Sequence, residues 1–291
     1  SLVLMANNNQ PITEADITLF LDKYVTDGKD DIKALLMNIK KLKISDWIDI
    51  LWSERFRQIF KCKSEIYKKL GDDVKIFEEL LIHIPLNYTY WRDGILNGQL
   101  FPATDQKRYP INWAHAIATC IVLLKKKIIG SDVLTFEDVK TNLVNVFGCK
   151  GCNVKNILPN ILPQYQLHYR IVPENEVNPF SAYKTYHFYI CTFYLTGSQW
   201  NDFSNFFCNK NNIHKAITYN DLNITKDDDG KYRHDDGGHA VVLIDANSYS
   251  YTFLNSWGDS WGNHGKFSVA RGAIKDMKFY DIYNLESELS E

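Results

Sequence analysis

Gly237-Gly238-His239-Ala240-Val241-Val242-Leu243, followed downstream by Asn255-Ser256-Trp257-Gly258, Trp261-Gly262 and Gly265, is the stretch from which the rest of the chain can be read. It puts a histidine at the start of one apolar run and an asparagine at the end of the next, Ser250 to Asn255. With Gly265 to Ala270 as a third run, the pattern predicts a β-meander. Consecutive antiparallel strands can set His239 beside Asn255. The amide oxygen of Asn255 can then accept from one ring nitrogen and fix the other toward a reacting group. Trp257 can cover that hydrogen bond and exclude water. A strand-end histidine and a turn asparagine are ordinary features singly.

Upstream of the meander, Leu167 to Val172 and Phe188 to Phe193 are further strand candidates. Ser198 to Asn209 reads as a short aromatic helix, and Asp227-Asp228-Asp229-Gly230 as a polar turn. Trp113 to Ile129 is almost wholly apolar at its start, the pattern of a helix enclosed by a core. Thr135 to Phe147 predicts an amphipathic helix with one exposed face. Trp91 to Gln106 is aromatic and punctuated by Gly and Pro, so it reads as loop and strand. Residues 11 to 84 show helical spacing throughout. Helices first and strands later predict an α+β fold: a helical lobe containing Trp113 to Ile129, and a β-rich, barrel-like lobe carrying His239 and Asn255. A cleft between two lobes is the default binding site. The expected division is an N-terminal helical extension over 1–84 and a second domain over 85–291.

The pattern GGHAV…NSWG…WG…G closely resembles the papain family of cysteine peptidases, in which this histidine is the base and this asparagine orients it. The place of that family's nucleophile signature, C-G-[SA]-C-[WY], is taken here by Asp105-Gln106-Lys107-Arg108-Tyr109-Pro110-Ile111-Asn112-Trp113. Gln106 precedes Asn112 at the spacing of the family's oxyanion-hole glutamine, and Trp113-Ala114-His115-Ala116 continues like its central helix. Tyr90-Trp91-Arg92 resembles the family's mature start. The resemblance covers about residues 86 to 270. It implies a two-lobe fold, with Asn112, His239, Asn255 and Gln106 at the catalytic positions. It also implies a substrate cleft touched by Trp113, Gly238 and Trp257.

The departures gather at the nucleophile. Asn112 stands where the family has its cysteine, Lys107 and Pro110 replace glycines, and Tyr109 occupies the place of a disulfide cysteine. A papain-type thiol becomes a thiolate with help from its histidine and from the helix N-terminus. A side-chain amide has no comparable proton to lose. Removing the nucleophile of such a unit typically lowers its rate about a million-fold in a serine analogue. Cys120 is no substitute, since it lies roughly 12 Å further along the helix. Asn112 also has a plain structural role available, because Asn before a helix is among the best N-caps, worth about 1 kcal/mol. The expectation is therefore an inactive peptidase homologue that binds or regulates a polypeptide partner. The alternatives are an active cysteine peptidase whose nucleophile has been altered at this position, and an interaction module that works through its helical extension. Whether the chain is an enzyme stays open on the sequence.

Composition narrows the partners. The chain has 291 residues, 45% hydrophobic and 23% charged, with a net charge of −2. Nothing in that balance favours nucleic acid or an anionic membrane. No apolar run approaches the roughly 20 residues of a bilayer span. The basic runs Lys40-Lys41-Leu42-Lys43 and Lys125-Lys126-Lys127 read as solvated helix ends. The 6 cysteines are too sparse for a disulfide framework. Cys120 and Cys191 read as buried thiols, and Cys149-Lys150-Gly151-Cys152 as a turn, since nothing completes a metal site around its CxxC spacing. No metal and no cofactor are expected. Loss of the family bridge at Tyr109 leans toward an intracellular location. Ser1 to Met5 is too short for a signal sequence. Sequons occur at Asn87 and Asn223, and Glu54-Arg55-Phe56 faintly resembles the family's propeptide helix, although an added helical domain is the favoured reading.

Overall fold

A computed structural model describes residues 91, 94–129, 133–177, 186–222, 237–247 and 249–285. The chain divides into two compact units, Ser1–Tyr90 and Trp91–Glu291, and every described residue lies in the second. The helices expected over 11–84, the Glu54 segment, the first basic run, the turn at Asp227 and both sequons lie outside the described residues.

Helix α1, Asn112–Ile129, is the axis of this unit. Trp113 through Leu124 are all buried, so the helix has no solvent face for its first three turns. Lys126 and Lys127 then place positive charge at its C-terminal end, where the helix dipole favours it. Lys127 is not a freely solvated end, however. Its ammonium lies 5.6 Å from the Trp91 ring centre and 5.9 Å from that of Tyr186, and burial pulls its pKa down to about 7. Helix α2, Phe136–Phe147, starts where the Thr135 hydroxyl accepts from the Asp138 N–H at 3.2 Å. It stops at Gly148, whose φ of 87° ends the helical path. Helix α3, Val154–Ile161, was not expected, because Pro159 lies inside it. Asn153 caps it and Val154, Ile157, Leu158 and Ile161 are buried on one side, so packing outweighs the missing N–H. Helix α4, Gly197–Cys208, opens on a reciprocal capping box between Thr196 and Gln199.

The strands are β1 His168–Val172, β2 His187–Leu195, β3 Ala216–Ile217, β4 Gly237–Ala246, β5 Ser250–Leu254, β6 Lys266–Ala270 and β7 Lys278–Tyr283. They form one sheet in the order β1-β7-β2-β4-β5-β6-β3. All neighbours are antiparallel except β3 and β6. The expected meander is β4-β5-β6. The chain is thus mixed α and β around a sheet, with α1 packed on β2 and β4. Residues 94–96, expected as loop and strand, are helical, and Asp105 makes only an isolated bridge to Trp257.

Strand β7 is a correction of another kind. It was not expected, yet it sits between β1 and β2 and its Phe279, Tyr280, Asp281 and Ile282 are buried. Asp281 is fully buried, with Arg170 Nε donating to its carboxyl at 2.9 Å and His187 Nδ1 2.7 Å away.

A core of aromatic and branched residues covers the sheet face under the meander, including Phe193, Phe203, Phe207, Tyr251, Phe253, Phe267 and Phe279. The described cysteines, Cys120, Cys149, Cys152, Cys191 and Cys208, are all unbridged.

Candidate functional site

The strand side of the site is built by β2, β4 and the residue that follows β5. His239, the third residue of β4, is 4% exposed and sits directly across from Phe193 of β2. Asn255 comes immediately after β5 and is 2% exposed. Its Oδ1 lies 2.7 Å from His239 Nε2 and accepts from the Ser256 N–H at 2.9 Å. The backbone donor fixes which end of the amide faces inward, since Nδ2 there would oppose another N–H. The amide oxygen in turn requires a proton on His239 Nε2, which leaves Nδ1 with a lone pair. Gly265 lets the chain close around this pair. Its N–H donates to Trp261 O at 2.8 Å, its carbonyl accepts from Asn255 N–H at 2.8 Å, and its φ is 82°. A Cβ there would stand 2.6 Å from that of Ala103.

Aromatic rings enclose the imidazole. Trp257 is 4.9 Å from it, centre to centre, with the rings tilted by 35°. Trp200 and Phe193 present edges at 5.6 and 5.8 Å. Trp200 is locked in turn, its indole N–H donating to Gly237 O at 3.1 Å. This enclosure pushes the His239 pKa down to about 4, through burial first, with the Asn255 hydrogen bond acting weakly in the opposite direction. His239 is therefore a neutral imidazole at pH 7. Trp200 and Phe193 were not foreseen as site residues. The aromatic reading of the 198–209 segment held the signal for Trp200, while the register of β2 against β4 could not be read from sequence.

The helix side is the loop before α1. Gln106 is laced at both ends: Nε2 donates to Tyr109 O at 2.9 Å, and Oε1 accepts from Ser256 Oγ at 2.7 Å. Its backbone N–H donates to Ser256 O at 2.8 Å, so this loop is tied directly to the residue after Asn255. Lys107 has a φ of 55°, the left-handed conformation that costs a side-chain-bearing residue roughly 1–2 kcal/mol. Asp105 holds it there, accepting the Lys107 N–H at 2.8 Å and pairing with its ammonium at 3.0 Å. The backbone at 107 thus has a shape that glycine would suit.

Asn112 is the first residue of α1 rather than its cap. Its Oδ1 accepts from the Ala240 backbone N–H at 3.2 Å. The reason lies in the sheet: β4 begins to pair with β5 only at Val242. Ala240 lies opposite Thr192 of β2 on the part of β4 that β5 does not reach, and its N–H takes the asparagine oxygen. Asn112 and His239 are thereby joined through adjacent backbone.

One residue expected at the cleft lies in the core instead. Trp113 is 1% exposed, donates its indole N–H to Lys150 O at 2.9 Å and packs edge-on to Phe147; it is a core residue and offers no surface to a ligand. Gly238 is exposed, and a Cβ there would meet only the Phe193 carbonyl at 3.8 Å, so close packing does not demand glycine. His115, noted only as part of the helix, is buried with Nδ1 at 2.8 Å from Thr104 Oγ1, while Nε2 has no partner among the described residues. Burial, and secondarily the charge of Lys140, pulls its pKa down to about 4. Cys120 is fully buried and burial drives its thiol pKa far up, so it carries no thiolate. Among the described residues no group of three or more His, Cys, Asp or Glu side chains converges as metal ligands. No helix of the described residues is long and apolar enough to cross a membrane.

No protein-family model matches the chain, and no curated protein does. Among solved structures it is similar to xylellain, a cysteine protease from Xylella fastidiosa, at 14% identity over 64% of this chain and 84% of that one, with a TM-score of 0.42. It is also similar to the Carica candamarcensis cysteine protease CMS1MS2, whose structure holds E-64, at 14% identity over 67% and 97%, with a TM-score of 0.40. Similarity at this level assigns no activity to this chain.

Proposed function

We propose that residues 85–291 form a papain-like, two-lobe domain that has lost its nucleophile and holds a polypeptide without cutting it. The observation that carries this reading is the state of Asn112. Its side chain is an amide with no acidic proton, and its oxygen is already committed to Ala240 at 3.2 Å. The residue that would activate a nucleophile, His239, has no thiol beside it at the head of α1. Gln106 supports the same reading, because its amide is used to lace the Tyr109 backbone and the Ser256 hydroxyl together. The bound polypeptide is a substrate-like segment or a protein partner, and holding it asks for no cofactor. Incubation of the purified chain with unfolded protein and blocked peptides should give no new termini. Cleavage that disappears in Asn112→Ala would overturn the inert assignment.

One observation favours a second reading, an active cysteine peptidase altered at 112. The His239–Asn255 hydrogen bond, its aromatic cover and its tautomer are all those a base would use. On that reading Asn112→Cys restores thiol-dependent hydrolysis that iodoacetamide blocks. Absence of any activity in a folded Asn112→Cys protein argues against it.

A further inference from the structure

Away from His239 and Asn112, the loop that joins α2 to α3 carries two thiols: Cys149, which is exposed, and Cys152, which is half-buried. Both are unbridged. Gly148, with a φ of 87°, turns the chain out of α2. The loop then folds back, because Cys152 Sγ lies 4.0 Å from the carbonyl oxygen of Phe147, a residue upstream of Cys149. A fully extended chain would instead carry Cys152 roughly 10 Å away from Cys149. Among the described residues no backbone–backbone hydrogen bond involves Cys149, Lys150, Gly151 or Cys152. A Cβ at Gly151 would meet nothing within 4 Å, so the loop has open space around it. It can reach the Cα separation of about 4.4–6.8 Å that a disulfide needs without giving up a backbone hydrogen bond.

The middle of this loop is tied to α1. The Lys150 carbonyl accepts from the Trp113 indole N–H at 2.9 Å, and the same indole stands edge-on to Phe147 with ring centres 6.2 Å apart. Trp113 thus touches both the bend between the thiols and the residue whose carbonyl receives Cys152.

We propose that Cys149 and Cys152 are a redox site, forming a reversible disulfide at the expense of a small-molecule disulfide, and that its closure moves the Trp113 tie at the head of α1. Cys149, the more exposed thiol, attacks first as its thiolate; it bonds to one sulfur of the oxidant, and the other sulfur leaves as a thiolate. The Cys152 thiolate then attacks the Cys149 sulfur, and the second half of the oxidant leaves. The two protein thiols lose two electrons and two protons, and the oxidant takes them up to become two thiols. The other described cysteines are not equipped for this. Cys120 and Cys191 are fully buried, and Cys208 has no cysteine near it in sequence. A metal on the pair would need further ligands, and none converge among the described residues. No step uses Asn112 or His239, so the inference stands apart from the polypeptide-binding reading.

The test uses the full, reduced chain in glutathione buffers of increasing oxidised fraction. Lys150 lies between the two cysteines, so trypsin cuts inside the bridged loop. Mass spectrometry of oxidised protein should find the two halves linked, and dithiothreitol should separate them. Cys208 is the control, a lone exposed thiol that takes up glutathione only. In any one buffer the oxidised-to-reduced ratio should be about tenfold or more higher at the pair than at Cys208. Cys152→Ser should stop at one glutathione on Cys149. The indole N–H signal of Trp113, assigned through its contact with the Phe147 ring, should move when the parent protein is oxidised and stay in place in Cys152→Ser. Glutathione on Cys149 or Cys152 of the parent protein without a linked pair, a pair no more oxidised than Cys208, a bridge to any other cysteine, or a bridge that leaves the Trp113 signal unmoved would each overturn the inference.

Discussion

On the strand side of the site, His239 is held by a side-chain acceptor and enclosed by three aromatic rings. On the helix side, Asn112 is held by one backbone N–H and stands half-buried at the head of α1. The loop before it keeps its shape through short polar ties: Asp105 to Lys107, Gln106 to Tyr109, and Gln106 to Ser256. The strand side is thus fixed by packing, in which each group rests on the core beneath it. The helix side is fixed by pairwise hydrogen bonds that tolerate substitution wherever the partner is backbone. Lys107, Tyr109, Pro110 and Asn112 all lie on the tolerant side, whereas His239, Asn255 and Trp257 lie on the packed one.

The contrast breaks first if the core under His239 can be emptied without consequence. Phe203 is fully buried against Phe193, Trp200, Trp257, Phe207 and Phe267. Phe203→Ala should cost about 3–5 kcal/mol in urea unfolding. A loss under about 1 kcal/mol would mean that the aromatic cluster does not support the histidine.

Acid should expose the same dependence. His239 and His115 both lie near 4 when folded, against 6.5 for an ordinary histidine. Between those values the unfolded chain binds more protons than the folded one, so stability falls as pH drops from about 6.5 toward 4 and is fully present above that window. The loss is on the order of 3 kcal/mol per histidine. Urea midpoints from pH 4 to 7 should show this slope, and His239→Phe should remove about half of it. An unaltered slope in that variant would place the acid sensitivity elsewhere.

Asn255→Leu sharpens the comparison more gently. It leaves His239 Nε2–H and the Ser256 N–H without their acceptor, which should cost about 1–3 kcal/mol. Thermal unfolding of the two proteins side by side reads it. The smallest effect belongs to the helix side and has the opposite sign. Lys107→Gly relieves a left-handed φ and should stabilise by about 0.5–1 kcal/mol. A destabilised Lys107→Gly protein would show that the Asp105 pairing outweighs the backbone strain.

Much of the fold was legible because its signals are local. Twelve of the thirteen residues from Asn112 to Leu124 are buried, and a nearly all-apolar run of that kind admits few other readings. The β4-β5-β6 meander was legible for the same reason, its strands being short, adjacent and closed by turns. Strand β7 escaped notice because Asp281 interrupts its apolar pattern. Its carboxyl is held by Arg170 and His187, which come from other strands and give no sign in the local sequence. Trp113 was expected at a cleft because it follows Asn112 in sequence. Successive helical residues point about 100° apart, so adjacency in sequence put the indole in the core.

The side chains themselves settled two things in advance: a histidine and an asparagine at the ends of neighbouring strands can meet, and an amide at position 112 cannot become an attacking anion. Those follow from covalent chemistry and short-range chain geometry. Which end of the Asn112 amide is left free, and whether His239 is charged, were decided only in three dimensions. The first depends on the Ala240 N–H of a strand remote in the chain, on the stretch of β4 that β5 does not reach. The second depends on how much water three rings from separate elements exclude, a property of packing that no single segment contains.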